Sequence, residues 1–151
     1  MIKYSYTLAL GIALLFSSCG NETNNNTPES SSEYTEHEHS SEDSIELDNG
    51  KKWVVVDEMM QHIQNMETDV EQFGKLKEKD FSVLATKLKD NIDLLTSNCT
   101  MTGKAHDELH KWLLPYIDLV SELSAAENDN EAGQTYKEIQ ASLKTFNTYF
   151  R

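Results

Sequence analysis

From Asp57 onward, apolar residues recur at steps of three and four. Met59, Ile63, Met66, Val70 and Phe73 make one stripe, which predicts a first helix with Asp57 as its N-cap and Gly74 as its stop. Asp80 is placed to cap a second helix, whose stripe is Phe81, Leu84, Leu88, Ile92 and Leu95. The pattern breaks over 100–103. A third helix follows from about Lys104 to Ser124, carrying Leu109, Leu113, Ile117, Val120 and Leu123. Pro115 inside it removes one backbone hydrogen bond and predicts a kink. Asn128, Asp129, Asn130 and Gly133 mark a loop, and Ala132, Tyr136, Ile139, Leu143, Phe146 and Phe150 then form the stripe of a fourth helix. Four amphipathic helices joined by short connections over 57–151 predict an all-α fold, an up-down-up-down four-helix bundle.

Ahead of the helices the period changes to two. Residues 45–56 read as a short β-hairpin about Asn49-Gly50, a pair suited to a type I′ turn, with Trp53 as the anchor that a hairpin this short needs. There is no internal repeat and no glycine-rich phosphate loop.

The expected topology gives the chemistry a location. If the first helix runs up, then Met59, Met60, His62 and Met66 lie on its lower half. Cys99 and Met101 lie in the lower loop between the second and third helices, and His106 and His110 on the lower half of the third. His106 and His110 are four apart, so they share a helix face one turn above the other and can hold one ion between them. Imidazole nitrogen combined with thiol and thioether sulfur suits copper or silver, and imidazole also suits zinc. The candidate ligands are therefore His106 and His110 as a pair, Cys99 and Met101 from the loop, and His62 with Met66 or Met59 from the facing helix. Asp107 is placed to orient an imidazole.

Each of these residues also has a plainer reading. Met59 and Met66 fit as core fillers, His62 as a half-buried side chain, and His106 and His110 as helix-end groups. Cys99, four after Leu95, fits as the close of the second stripe. A non-covalent haem between a methionine of the first helix and a histidine of the third is a further alternative. Covalent c-type haem is excluded, because no Cys-x-x-Cys-His occurs. His106-Asp107-Glu108-Leu109-His110 falls short of a zinc-protease helix: the glutamate is third, where those motifs place it second or fourth. No Ser-His-Asp set appears, and no enzymatic activity is expected.

The N-terminus supplies an address. Met1-Ile2-Lys3 is a basic start and residues 4–16 are almost all apolar or small. Ser17-Ser18-Cys19-Gly20 then completes a signal peptide over 1–18. Ser-Ser-Cys-Gly resembles the lipobox of bacterial lipoproteins, with Phe16 where leucine is usual. The resemblance implies cleavage before Cys19 and acylation of Cys19 by palmitate-type chains, an anchor in the membrane of the cell envelope. Glycine after the cysteine points to the outer membrane rather than the inner. Cys99 would then be the one free thiol of the mature chain.

Residues 19–44 are polar and acidic and predict a disordered tether. The tether carries a small metal-friendly tract, His37-Glu38-His39. The net charge of −13 is concentrated here, since no Lys or Arg occurs from Asn21 to Asp48. That balance argues against a nucleic-acid partner.

From Lys52-Trp53 through Cys99-Thr-Met-Thr-Gly-Lys-Ala-His-Asp-Glu-Leu-His-Lys-Trp-Leu113, the chain resembles small helical lipoproteins of Bacteroidota-type bacteria that accompany metal-efflux systems. The resemblance implies that Cys99, Met101, His106 and His110 belong to one signature. The leading expectation is a lipid-anchored periplasmic protein that buffers copper or silver or delivers it to efflux-pump components. The alternatives are a ligand-free envelope adaptor and the haem-binding bundle.

Overall fold

The computed structural model describes residues 44–151. The signal peptide, Cys19, the His37/His39 tract and nearly all of the tether lie outside the described residues. Four helices follow one another: α1 (Asp57–Gly74), α2 (Phe81–Ser97), α3 (Lys104–Ala125) and α4 (Asp129–Tyr149). Cross-links between neighbours fix their directions. Lys87 pairs with Asp69 at 2.8 Å, Asn65 donates to Asn91 at 3.4 Å, and Asn98 meets His62 at 3.2 Å, so α2 descends as α1 climbs. The Trp112 indole of α3 donates to the Ser142 carbonyl of α4, and the Tyr136 hydroxyl of α4 to the Val70 carbonyl of α1. The bundle is up-down-up-down.

The helix ends are set by local chemistry. The Asp80 carboxylate accepts from the Ser82 and Val83 amides at 3.1 and 3.3 Å, and from the Ser82 hydroxyl at 2.6 Å. The Ser82 hydroxyl, with the Val83 amide, holds the Asp80 carboxyl below its ordinary pKa. Asn128 does the same work for α4 by accepting from the Asn130 and Glu131 amides. The stretch expected to be a loop is thus a cap and a first helical turn, and Gly133 lies inside α4. At α1 the N-cap position is Val56, which makes no side-chain bond. Asp57 and Glu58 sit one step further in, in the first turn, where negative charge favours the helix dipole. The other end of α1 is closed by Lys79, whose amine donates to the carbonyls of Leu76, Gly74 and Phe73.

The expected stripes form the core. The buried residues of α1 are Met59, Ile63, Met66, Val70 and Phe73. In α2, Ala85 joins the stripe and Phe81 is only half-buried at its edge. In α3, Trp112 and Tyr116 are buried as well, while Ile117 is only half-buried. Two aromatic clusters hold opposite ends of the bundle. Trp112 stacks on Tyr116 at 4.9 Å between ring centres and touches Phe146 at 4.8 Å, and Phe146 stacks on Phe150 at 5.0 Å. At the other end Phe73, Phe81 and Tyr136 pack together. There Gly74 is required by close approach, since a Cβ on it would lie 2.8 Å from the Tyr136 hydroxyl.

Among the described residues, two buried side-chain polar atoms go unmatched, His62 Nδ1 and the Tyr116 hydroxyl, and the second lies in this core. The Tyr116 hydroxyl has no hydrogen-bond partner, and burial, with the Glu67 carboxylate adding to it, pushes its pKa far above the ordinary phenol value. Tyr116→Phe removes that desolvated group at nearly constant shape. It is expected to stabilise the fold by about 1 kcal/mol, read as a higher midpoint in urea; a lower midpoint would mean that the hydroxyl has a partner in solution.

The hairpin expected over 45–56 is reduced to its turn. Asp48 and Lys51 exchange both backbone hydrogen bonds around Asn49 and Gly50, whose φ values of 49° and 81° are those of a type I′ turn. The arms do not pair further, because each finds another partner. Glu46 gives its amide to Glu108 of α3 and its carbonyl to the Trp53 indole. Trp53 and Val55 run parallel to the C-terminal peptide instead. The Trp53 amide donates to Tyr149, Arg151 to Trp53, and Val55 to Arg151, all at 2.8–2.9 Å. The end of α4 leaves those backbone groups open, and the N-terminal segment closes them.

Candidate functional site

The loop from α2 to α3 folds back because of Gly103. Its φ of 66° and ψ of −157° lie in a region that side-chain-bearing residues avoid. Its carbonyl accepts from the His106 and Asp107 amides at 3.0 and 3.1 Å, so the reversal is tied directly to the start of α3. Upstream, Asn98 caps α2 through Leu94, and the Cys99 amide bonds to Thr96. Between these two fixed points Cys99 and Met101 lie half-buried against the core.

This loop closes one side of a pocket of about 310 Å³ lined by Met59, Cys99, Met101, His106 and His110. Leu109, Leu113, Leu114 and Ile117 make its walls, and no charged side chain lines it. Met59 is fully buried at the floor, whereas the His106 side chain is 31% exposed and Leu114, at the rim, 55%. The two imidazoles lie close together, 4.2 Å between ring centres, with their planes tilted by 45°. The helical spacing of four thus puts both rings on one face of α3.

Two of the expected ligands stand apart from the pocket. Met66 is fully buried in the core one α1 turn beyond His62 and does not line it. His62 does not line it either; its Nε2 lies 3.2 Å from the Asn98 side-chain amide nitrogen, and its Nδ1 is buried without a partner among the described residues. Among the described residues, no three side chains of the His, Cys, Asp and Glu types come close enough to hold one metal ion. Cys99, His106 and His110 share a pocket without closing on a common point, so any ion bound there draws on thioether sulfur too. Asp107 does not orient an imidazole: its carboxylate is 74% exposed and 3.8 Å from His106 Nδ1, beyond hydrogen-bond range.

Glu108 was notable in the sequence only for being out of register with a protease motif. Its role is structural. The carboxylate is buried on the side of α3 away from the histidines. It accepts from the Glu46 amide at 2.7 Å and from Lys111 at 3.0 Å. Lys104 adds an ion pair to Glu46 at 3.1 Å, and Lys111 donates to the Ser44 carbonyl. Burial alone raises the carboxyl pKa, but the Glu46 amide, Lys111 and Lys104 together outweigh it and hold the group below its ordinary value. A depressed folded pKa means stability that is present above the unfolded value and lost as pH falls through the folded one. The strap over residues 44–47 is therefore expected to loosen below about pH 4.5. Glu108→Gln should loosen it already at neutral pH, by about 1–2 kcal/mol. Hydrogen exchange of the Glu46 amide reads both effects, and an amide equally protected at pH 7 in the variant would contradict them.

Another depression, of about 630 Å³, lies at the opposite end beside the starts of α2 and α4. The helix amides there are already taken by Asp80 and Asn128. No helix among the described residues is long and apolar enough to cross a membrane. The chain matches no family model, no curated protein and no solved structure.

Proposed function

We propose that this protein is a lipid-anchored metal-binding bundle of the bacterial cell envelope that takes up copper or silver, as a buffer or as a donor to an efflux system. The observation that carries the reading is one pocket lined by two adjacent imidazoles, a thiol and two thioethers. Soft sulfur beside imidazole is the donor set of copper rather than of magnesium or calcium. A closed structural zinc site calls for four thiolate, imidazole or carboxylate donors, and the described residues do not gather even three. The lipobox-like Ser17-Ser18-Cys19-Gly20 supports the anchor and the envelope address. A haem between the first and third helices would have to part the core around Met59 or Met66, both fully buried.

The test is an anaerobic competition titration with Cu(I) against a coloured chelator. His106→Ala/His110→Ala is expected to weaken binding by more than about 100-fold while leaving the circular dichroism of the apo protein unchanged, since neither ring is in the core. Equal affinity in the variant would remove the pocket as the site.

A further inference from the structure

We infer that the strap over 44–47 is a latch for the start of α3. While it is docked, the first two turns of that helix and the loop before them are ordered; when it lifts, they unwind together.

α3 begins poorly on its own. Asp80 and Asn128 cap α2 and α4 with side-chain oxygens, and α1 opens with Asp57 and Glu58. The N-cap of α3 is Gly103, which offers no side chain, and Asp107 is the one acid of its first turn. Lys104 stands first in the helix, a cation at the end where the dipole disfavours one. An uncapped helix end frays unless something outside it holds the turns.

The strap holds them. Glu108, only 3% exposed, accepts from the Glu46 amide at 2.7 Å, and Lys111 donates both to Glu108 and to the Ser44 carbonyl. Ile45, between Ser44 and Glu46 in sequence, is half-buried against the core. The Trp53 indole donates to the Glu46 carbonyl at 2.6 Å, and Trp53 is in turn paired with Tyr149 and Arg151. The Lys104–Glu46 ion pair is exposed on both sides and adds little. Lifting the strap therefore leaves a buried carboxylate short of a donor, on a helix end with no cap. Unwinding residues 104–108 brings that carboxylate to water. It also breaks the bonds from the His106 and Asp107 amides to the Gly103 carbonyl, which tie the α2–α3 loop to the helix. His106 then leaves the face it shares with His110, and Cys99 and Met101 lose their seat. Taken with the metal-binding reading above, on which this functional meaning rests, the strap sets whether the pocket has its wall.

The experiment uses the full chain without metal, with Cys19→Ser so that Cys99 is the one thiol. Two substitutions loosen the strap without touching α3. Glu46→Pro removes the amide that Glu108 accepts from, and Trp53→Phe removes the indole donor to Glu46. Asn128→Ala, which uncaps α4, is the control for a general loss of stability. Amide hydrogen exchange and alkylation of Cys99 by N-ethylmaleimide are measured on each. In both strap variants the amides of 106–110 are expected to exchange about tenfold faster. Cys99 should also react faster, while the middles of α2 and α4 stay within about twofold of the parent. Asn128→Ala should not single out 106–110.

Unchanged exchange over 106–110 in both strap variants would overturn the latch, as would acceleration spread evenly over all four helices. Either result leaves the metal-binding reading standing, and a chain that binds neither copper nor silver leaves the latch standing.

Discussion

Phe146→Ala is expected to cost about 3–5 kcal/mol, the range for emptying a fully buried aromatic site. Phe146 has no exposed surface and lies between Trp112 and Phe150. Removing it takes away the ring that Phe150 stacks on and that packs against Trp112. A domain of this size has about 5–15 kcal/mol in total, and each kilocalorie is worth roughly 4–8 °C of melting temperature. The variant should therefore melt some 15–30 °C below the parent, and circular dichroism on heating reads this directly. A loss under about 1 kcal/mol would mean that the surrounding rings collapse into the gap.

The second large effect is expected at Gly103. A Cβ there meets nothing within 4 Å, so Gly103→Ala introduces no clash and tests the backbone alone. At φ 66° and ψ −157° the alanine is strained by about 1–3 kcal/mol. The bundle has a way to relieve that strain, by letting the loop swing out. Cys99 and Met101 would leave the pocket while His106 and His110 stay on α3. The variant should keep most of its helical signal, melt several degrees lower and lose silver or copper affinity. Unchanged melting and unchanged affinity together would show that the loop does not depend on this conformation.

Much of the architecture was legible because the helical repeat is clean. Met59, Ile63, Met66, Val70 and Phe73 were read as one stripe and are the buried set of α1. Trp112 and Tyr116 were missed because they widen the α3 stripe to a second row, which a single line of apolar residues does not show. Asn128 was read as loop, though an asparagine before a helix is as often its cap.

The pocket was half legible. Spacing alone put His106 and His110 together, and topology brought Cys99, Met101 and Met59 to the same end. What spacing does not give is rotation about the helix axis relative to neighbours. His62 and Met66 share a face of α1 with Met59, yet His62 meets Asn98 and Met66 sinks into the core. Glu108 was legible only as a failed motif, because its partner is a backbone amide 62 residues away, and backbone amides leave no mark in a sequence.

The meeting of Trp53 and Val55 with Tyr149 and Arg151 has a mechanical consequence. A pull on the chain at Ser44 does not load the helices first. It is borne by the strap contacts of Glu46 and Ser44 on α3, then by the hydrogen bonds that join the strap to the C-terminal peptide. Those bonds run between parallel segments beside the closed end of α4, so tension is shared among them and passed into the Phe146–Phe150 stack. The strap grips α3 at Glu108 and Lys111, on the same turns that carry His106 and His110, so a pull at Ser44 reaches the helix that forms one wall of the pocket.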